Sequence, residues 1–169
     1  MSDAAFEAFV RRYQDVVYGT AFRLLGNPED AEDVAQTVFL RAFQRFSQLA
    51  ENPAAPGWLK TVTRNECLNH LSRYRNRWQF VSDPPESALG SVDSPAAQLE
   101  IDERRRELAA ALARLPDHQR VPLVLFHFEE MGYQAIAATL GVSLAKVKTD
   151  IFRARETLRR YLTEANEAN

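Results

Sequence analysis

Between residues 79 and 97 the chain reads QFVSDPPESALGSVDSPAA, with three prolines, four serines, three acidic residues and no lysine or arginine. Prolines at this density remove backbone donors, and no apolar period runs through the stretch, so neither a helix nor a strand can continue across it. Its composition is that of a linker. The 169 residues are thereby divided into an N-terminal part, 1–78, and a C-terminal part, 98–169, each large enough for a modest core. In both parts apolar residues recur at spacings of three and four, and the whole chain contains only six glycines. The expected fold class is all-α, with two small helical domains on a flexible tether. No internal repeat relates them.

The N-terminal part reads as three helices. Phe6, Phe9, Val10, Tyr13, Val16 and Val17 form the apolar face of the first, which stops at Gly26, a residue suited to a left-handed position. In NPEDAED, Asn27 is placed to cap the second helix, Pro28 fits its first turn, and the acids favour the positive end of the helix dipole. Its buried stripe is expected at Ala31, Val34, Ala35, Val38, Phe39, Ala42 and Phe46. Asp33, Gln36, Thr37, Leu40 and Gln44 line another face at helical spacing. Such a face is either solvated surface or a dock for a partner helix.

After the loop AENPAAPG a third helix is expected from about Trp58 to Arg75. Between Lys60 and Trp78 the basic residues Lys60, Arg64, Arg73, Arg75 and Arg77 face one acid, Glu66, and are interleaved with Trp58, Asn65, Asn69, Tyr74 and Trp78. Arginine pairs with phosphate, flat rings offer stacking surfaces to unpaired bases, and asparagine can read a base edge. The other reading makes Trp58 core and the arginines a solvated helix end.

The C-terminal part is expected to hold a helix around Leu99 to Leu115 and another near 119 to 130, which Pro122 forces either to begin late, near Arg120, or to kink. Tyr133 to Leu140 and Leu144 to about Tyr161 then form a closely spaced pair. Between them Gly141 takes the turn, Val142 and Val147 close a small core, and Ser143 caps the second helix, as in a helix-turn-helix. Ala137 is small where the helices cross. Beyond the Ser143 cap, the exposed positions Ala145, Lys146, Lys148, Thr149, Arg153 and Arg155 can enter or flank a major groove, while Val147, Ile151, Ala154 and Leu158 pack inward. Residues 143–162 carry six basic and two acidic side chains. A positive patch therefore exists on a chain whose net charge is -2. Helical hairpins with no DNA role share this spacing.

Other classes find little support. There is no apolar run near eighteen residues and no basic-then-apolar leader at Met1, so neither a membrane span nor a secretory signal is expected, and the location is read as cytoplasmic. The single cysteine, Cys67, is read as a small buried side chain. His70, His118 and His127 are scattered, so no metal site, cofactor or catalytic set is expected, and the chain is not read as an enzyme.

Taken in order, NPEDAEDVAQTVFLRAFQRF, GWLKTVTRNECLNHLSRYR, the acidic linker and LPDHQRVPLVLFHFEEMGYQAIAATLGVSLAKVKTDIFRARETLRRYL resemble the extracytoplasmic-function class of bacterial RNA polymerase sigma factors over nearly the full length. The resemblance implies an alternative sigma factor that binds core RNA polymerase and directs transcription initiation at particular promoters. A stand-alone helix-turn-helix regulator is the competing reading. Residues 1–78 then correspond to region 2, with Asp33, Gln36, Thr37 and Leu40 docking on the polymerase clamp helices. Trp58, Lys60, Arg64, Asn65, Asn69, Arg73 and Arg75 fall to minus-10 recognition and melting, Asn65 where the family commonly has an asparagine near a flipped-out base. Residues 98–169 correspond to region 4. Ser143, Ala145, Lys146, Lys148, Thr149, Arg153 and Arg155 are placed at the minus-35 element, and the rest of that domain at the polymerase flap. An anti-sigma factor is a further candidate partner. The loop AENPAAPG departs from the family pattern, so the preferred minus-10 base is not specified. Asp150 stands where relatives often carry arginine or serine, and it is left out of the contact set unless it accepts from a cytosine amine.

Overall fold

The computed structural model describes residues 3–72 and 100–167, with side chains described from residue 103 onward in the second stretch. They separate into two compact units, one on either side of Arg75. Among the described residues all regular structure is helical.

In the first unit α1 spans Asp3–Leu25, α2 Pro28–Gln44, α3 Phe46–Leu49 and α4 Ala55–Ser72. Helices α1, α2 and α4 pack on one another pairwise. The α1–α2 corner follows the expected chemistry. Gly26 adopts φ 66°, its amide donates to the Phe22 carbonyl at 2.8 Å, and the Asn27 side chain accepts from the Asp30 amide at 3.1 Å. Val17, Ala21, Leu24, Ala31, Val38, Ala42, Leu59 and Cys67 make the centre of the core.

Three helices become four because the chain breaks at Arg45 (φ -114°, ψ 19°). The one-turn helix that follows buries Phe46 and Leu49 together. Phe46 is therefore core, but as part of α3 and not of the α2 stripe. Ala35 and Phe39 are only half-buried. α4 starts three residues before the expected Trp58, with Pro56 in its first turn, where a missing amide proton costs no helical bond. The expected extension to Arg75 lies outside the described residues.

In the second unit α5 spans Glu100–Arg114, α6 Asp117–His127, α7 Tyr133–Leu140 and α8 Leu144–Glu167. α8 is the hub, packing on α5, α6 and α7. Of the two outcomes expected from Pro122, the late start is not what occurs: α6 begins at Asp117 and carries Pro122 inside it. Past the first turn, the proline removes one ladder bond, and the residue is buried. The first turn is held instead by Arg120, whose guanidinium is buried, donates to the Leu115 carbonyl at 2.7 Å and pairs with Asp117. α6 ends in a tight turn at Glu130, which takes φ 57°.

Candidate nucleic-acid and docking interfaces

The hairpin of α7 and α8 has the local geometry that its sequence requires. Gly141 is left-handed at φ 69°, and its amide donates to the Ala137 carbonyl. Ser143 Oγ accepts from the Lys146 amide at 3.1 Å. Ile136, Val147, Ile151 and Ala154 are buried, which fixes the rotation of α8 and turns Ala145, Lys148, Thr149 and Arg153 to solvent.

Two of the expected contact residues are engaged within the protein. Lys146 Nζ lies 2.6 Å from Asp150 Oδ2, and Asp150 is itself buried. Arg155 is half-buried, with Nη2 2.9 Å from His127 Nε2 and Nε donating to the same atom at 3.2 Å. Its guanidinium also lies 5.7 Å from the centre of the Phe126 ring. Burial, then the charge of Arg155, lowers the His127 pKa below the ordinary imidazole value, in keeping with a neutral ring that accepts. His118 is also lowered, mainly by burial, with the Asp150 carboxylate pulling the other way. Lys148 and Arg153 have no ion pair among the described residues.

Sequence reasoning passed over Phe152, which lies on the solvent face of α8 and is 63% exposed. It stands four residues after Lys148 and three after Thr149, so spacing alone places it among them. The apolar type of the residue concealed it.

On α4 the residues Leu59, Thr63, Cys67 and Leu71 are buried at every fourth position. The turn-to-turn stripe Trp58, Asn65 and Asn69 falls on the opposite side, with both asparagines exposed and Trp58 half-buried. Lys60 and Arg64, four apart, lie beside the buried face and not on that stripe, and both are half-buried. Arg73 and Arg75 lie outside the described residues.

On α2, Asp33, Gln36 and Leu40 are exposed and Thr37 is half-buried, its hydroxyl donating to the Asp33 carbonyl at 3.1 Å. Leu40 is 65% exposed, and Phe43, which the sequence reading left out, is 54% exposed. Phe43 meets Phe6 edge-on with ring centres 5.0 Å apart. A contiguous apolar pair thus borders the polar face of α2. In the second unit an apolar groove runs among α5, α6 and α8, lined by Leu108, Leu112, Leu123, Phe128, Leu158 and Leu162.

No group of three or more His, Cys, Asp or Glu side chains among the described residues could hold a metal ion. No described helix is long and apolar enough to cross a membrane.

The chain is similar to proteins that share one job. Residues 9–77 match the family model of sigma-70 region 2, and residues 105–158 match that of sigma-70 region 4. The ECF RNA polymerase sigma factor SigE of Mycolicibacterium smegmatis is 37% identical over 162 residues, covering 95% of this chain and 62% of its own. The chain thus spans under two thirds of that relative. The RNA polymerase sigma-E factor of Streptomyces avermitilis is 33% identical over 162 residues, covering 93% of this chain and 84% of its own. Among solved structures, the sigma factor RpoE of Bartonella quintana, crystallised with the anti-sigma factor NepR, matches with a TM-score of 0.52 at 20% identity over 94% of this chain and 96% of that one. At that identity the likeness is one of fold.

Proposed function

Since the chain belongs to the sigma-70 family of RNA polymerase sigma factors, in the extracytoplasmic-function class, we propose that it is an alternative sigma factor whose two units divide promoter recognition between them. The first unit, residues 1–78, docks on core RNA polymerase through Asp33, Gln36, Thr37 and Leu40, with Phe43 beside them. The same unit opens the minus-10 element on α4. There Trp58 offers a stacking surface, Lys60 and Arg64 face the backbone, and Asn65 and Asn69 take the edge of an extruded base. The second unit, residues 98–169, reads the minus-35 element with the solvent face of α8. Its apolar groove takes a helix of the polymerase flap.

One observation carries this reading: a Trp58–Asn65–Asn69 stripe with both asparagines exposed and a capped helix-turn-helix occur in the same chain, each in a separate compact unit. A stand-alone regulator has use for the second and none for the first. The protein works as a transcription initiation factor that positions and melts DNA while the polymerase supplies the chemistry, and it works where both are found, in the cytoplasm. A third partner is an anti-sigma protein that covers the same docking surfaces.

The test separates docking from opening. Asp33→Lys with Gln36→Ala is expected to weaken binding to core polymerase while helical content is unchanged, because those side chains are exposed. Asn65→Ala is expected to spare polymerase binding and slow opening, at a cost of about 1–3 kcal/mol for lost hydrogen bonds to the base. A template already unpaired at the minus-10 region then rescues Asn65→Ala and not the docking variant. Identical responses of the two variants to that template would refute the division of labour.

A further inference from the structure

The buried side of α4 is lined by three small or slender side chains, Ala55, Thr63 and Cys67, together with Leu59 and Leu71. Such an interface specifies that the helix packs, but small side chains index its rotation weakly. The rotation matters for the asparagines. A side-chain end about 5 Å from the helix axis moves about 2 Å when the helix turns by about 20°. That exceeds what a hydrogen bond tolerates.

Two charged contacts cross from α4 to α2. Arg41 Nη2 of α2 lies 2.6 Å from Glu66 Oε1 of α4. His70 Nε2, one turn further along α4, lies 3.5 Å from Asp30 Oδ2 in the first turn of α2, and it is an ion pair when the ring is protonated. The first contact has the greater consequence. Glu66 is only 15% exposed, and its Oε1 is buried, with Arg41 as its one partner among the described residues. Arg41 is therefore the compensating charge for a carboxylate held out of water, and its removal would drive Glu66 outward. Glu66 directly follows Asn65, and Arg41 directly follows Leu40 of the docking face. The ion pair thus joins the residue next to the docking surface to the residue next to the base-binding asparagine.

We propose that Arg41 and Glu66 are positioning residues for promoter opening: their ion pair fixes the rotation of α4 on α2, so that docking of α2 on polymerase presents Asn65 and Asn69 to the extruded base in register. The inference rests on the assignment of Asn65 to the base pocket. Neither residue touches DNA or polymerase in this scheme. Each acts through the orientation of α4.

The experiment uses the full chain with core polymerase and compares Glu66→Ala, Arg41→Glu and the exchanged pair Arg41→Glu with Glu66→Arg, alongside Asn65→Ala. Three quantities are measured: affinity for core polymerase, rate of opening on duplex promoter, and transcription from a template unpaired at the minus-10 region. The single variants are expected to bind polymerase as the parent does and to open duplex promoter about ten-fold more slowly. The exchanged pair is expected to recover most of that rate, and the unpaired template to relieve most of the defect in each single variant. Three results would overturn the proposal: single variants that open at the parental rate while Asn65→Ala does not, an exchanged pair no better than the singles, or a defect that the unpaired template leaves unchanged. Loss of polymerase affinity in Arg41→Glu alone would assign Arg41 to the docking face and overturn it too. If Asn65→Ala itself opens promoter normally, the base-pocket assignment falls, and the positioning role with it.

Discussion

Lys148 and Arg153 are exposed cations on α8 without an ion pair among the described residues, whereas Lys146 is held by Asp150 and Arg155 by His127. This separates side chains that are free to meet phosphate from those already committed to the fold. Lys148→Ala and Arg153→Ala are expected to weaken promoter binding almost uniformly across sequences, each reducing the salt slope by about 1. Lys146→Ala is expected to act through the fold instead, because it strands the buried Asp150 carboxylate. Promoter titrations between low and moderate salt check both. A second residue-scale expectation concerns Glu130. It is exposed and holds φ 57°, a conformation that disfavours any side chain carrying a Cβ. Glu130→Gly is expected to stabilise the protein by about 0.5–1 kcal/mol, read as a higher denaturant midpoint with an unchanged slope.

At the scale of elements, the α7–α8 hairpin depends on one glycine and one serine. A Cβ built on Gly141 would meet nothing within 4 Å, yet the residue sits at φ 69°. The penalty for substitution is thus backbone strain without a clash. Gly141→Ala is expected to cost about 1 kcal/mol, and Gly141→Asn less, since asparagine tolerates the left-handed region. Chemical denaturation of the two variants checks the order. Minus-35 binding should fall with stability and not beyond it, because Gly141 is not among the proposed contacts. α4 makes the complementary case. Its buried stripe follows from helix periodicity, while its rotation is set by contacts from another helix, Arg41 to Glu66 above all.

For the whole molecule, the division into two compact units has a direct consequence. Residues 1–78 and 98–169 produced separately are each expected to fold, the first keeping affinity for core polymerase and the second a weak affinity for minus-35 DNA. Neither piece alone is expected to open a promoter. Joining the two engagements on one chain is expected to raise promoter affinity by at least about 10²-fold over the second piece, because the second contact becomes intramolecular. Gel-shift titrations of the pieces and the intact chain with polymerase measure this gain. In the intact protein, the composition of the 79–97 stretch makes it the expected first site of protease cleavage.

The sequence by itself determined the all-helical class, the Gly26 and Gly141 stops, the Asn27 and Ser143 caps, and the inward faces of α2 and α8 at Ala31, Val34, Val38, Ala42, Val147, Ile151 and Ala154. All of these depend on groups within four residues of one another, which is the range over which helix periodicity and capping act. Only the tertiary structure decided which polar side chains are spent inside the protein. Arg155 reaches His127 across 28 positions of chain, and Arg41 reaches Glu66 across two helices. Local pattern carries no record of such pairings. The Lys146–Asp150 pair was within local reach, but the burial that makes Asp150 hold its lysine depends on how α8 packs. The break at Arg45 was equally illegible, because Phe46 continues the apolar period of α2 and only the shared burial of Phe46 and Leu49 sets it in a turn of its own. Pro122 left two outcomes open for a related reason: the local rule allows a late start or an interrupted ladder, and only the tertiary packing shows a helix that runs from Asp117 through a buried Pro122, with Arg120 holding the first turn from inside.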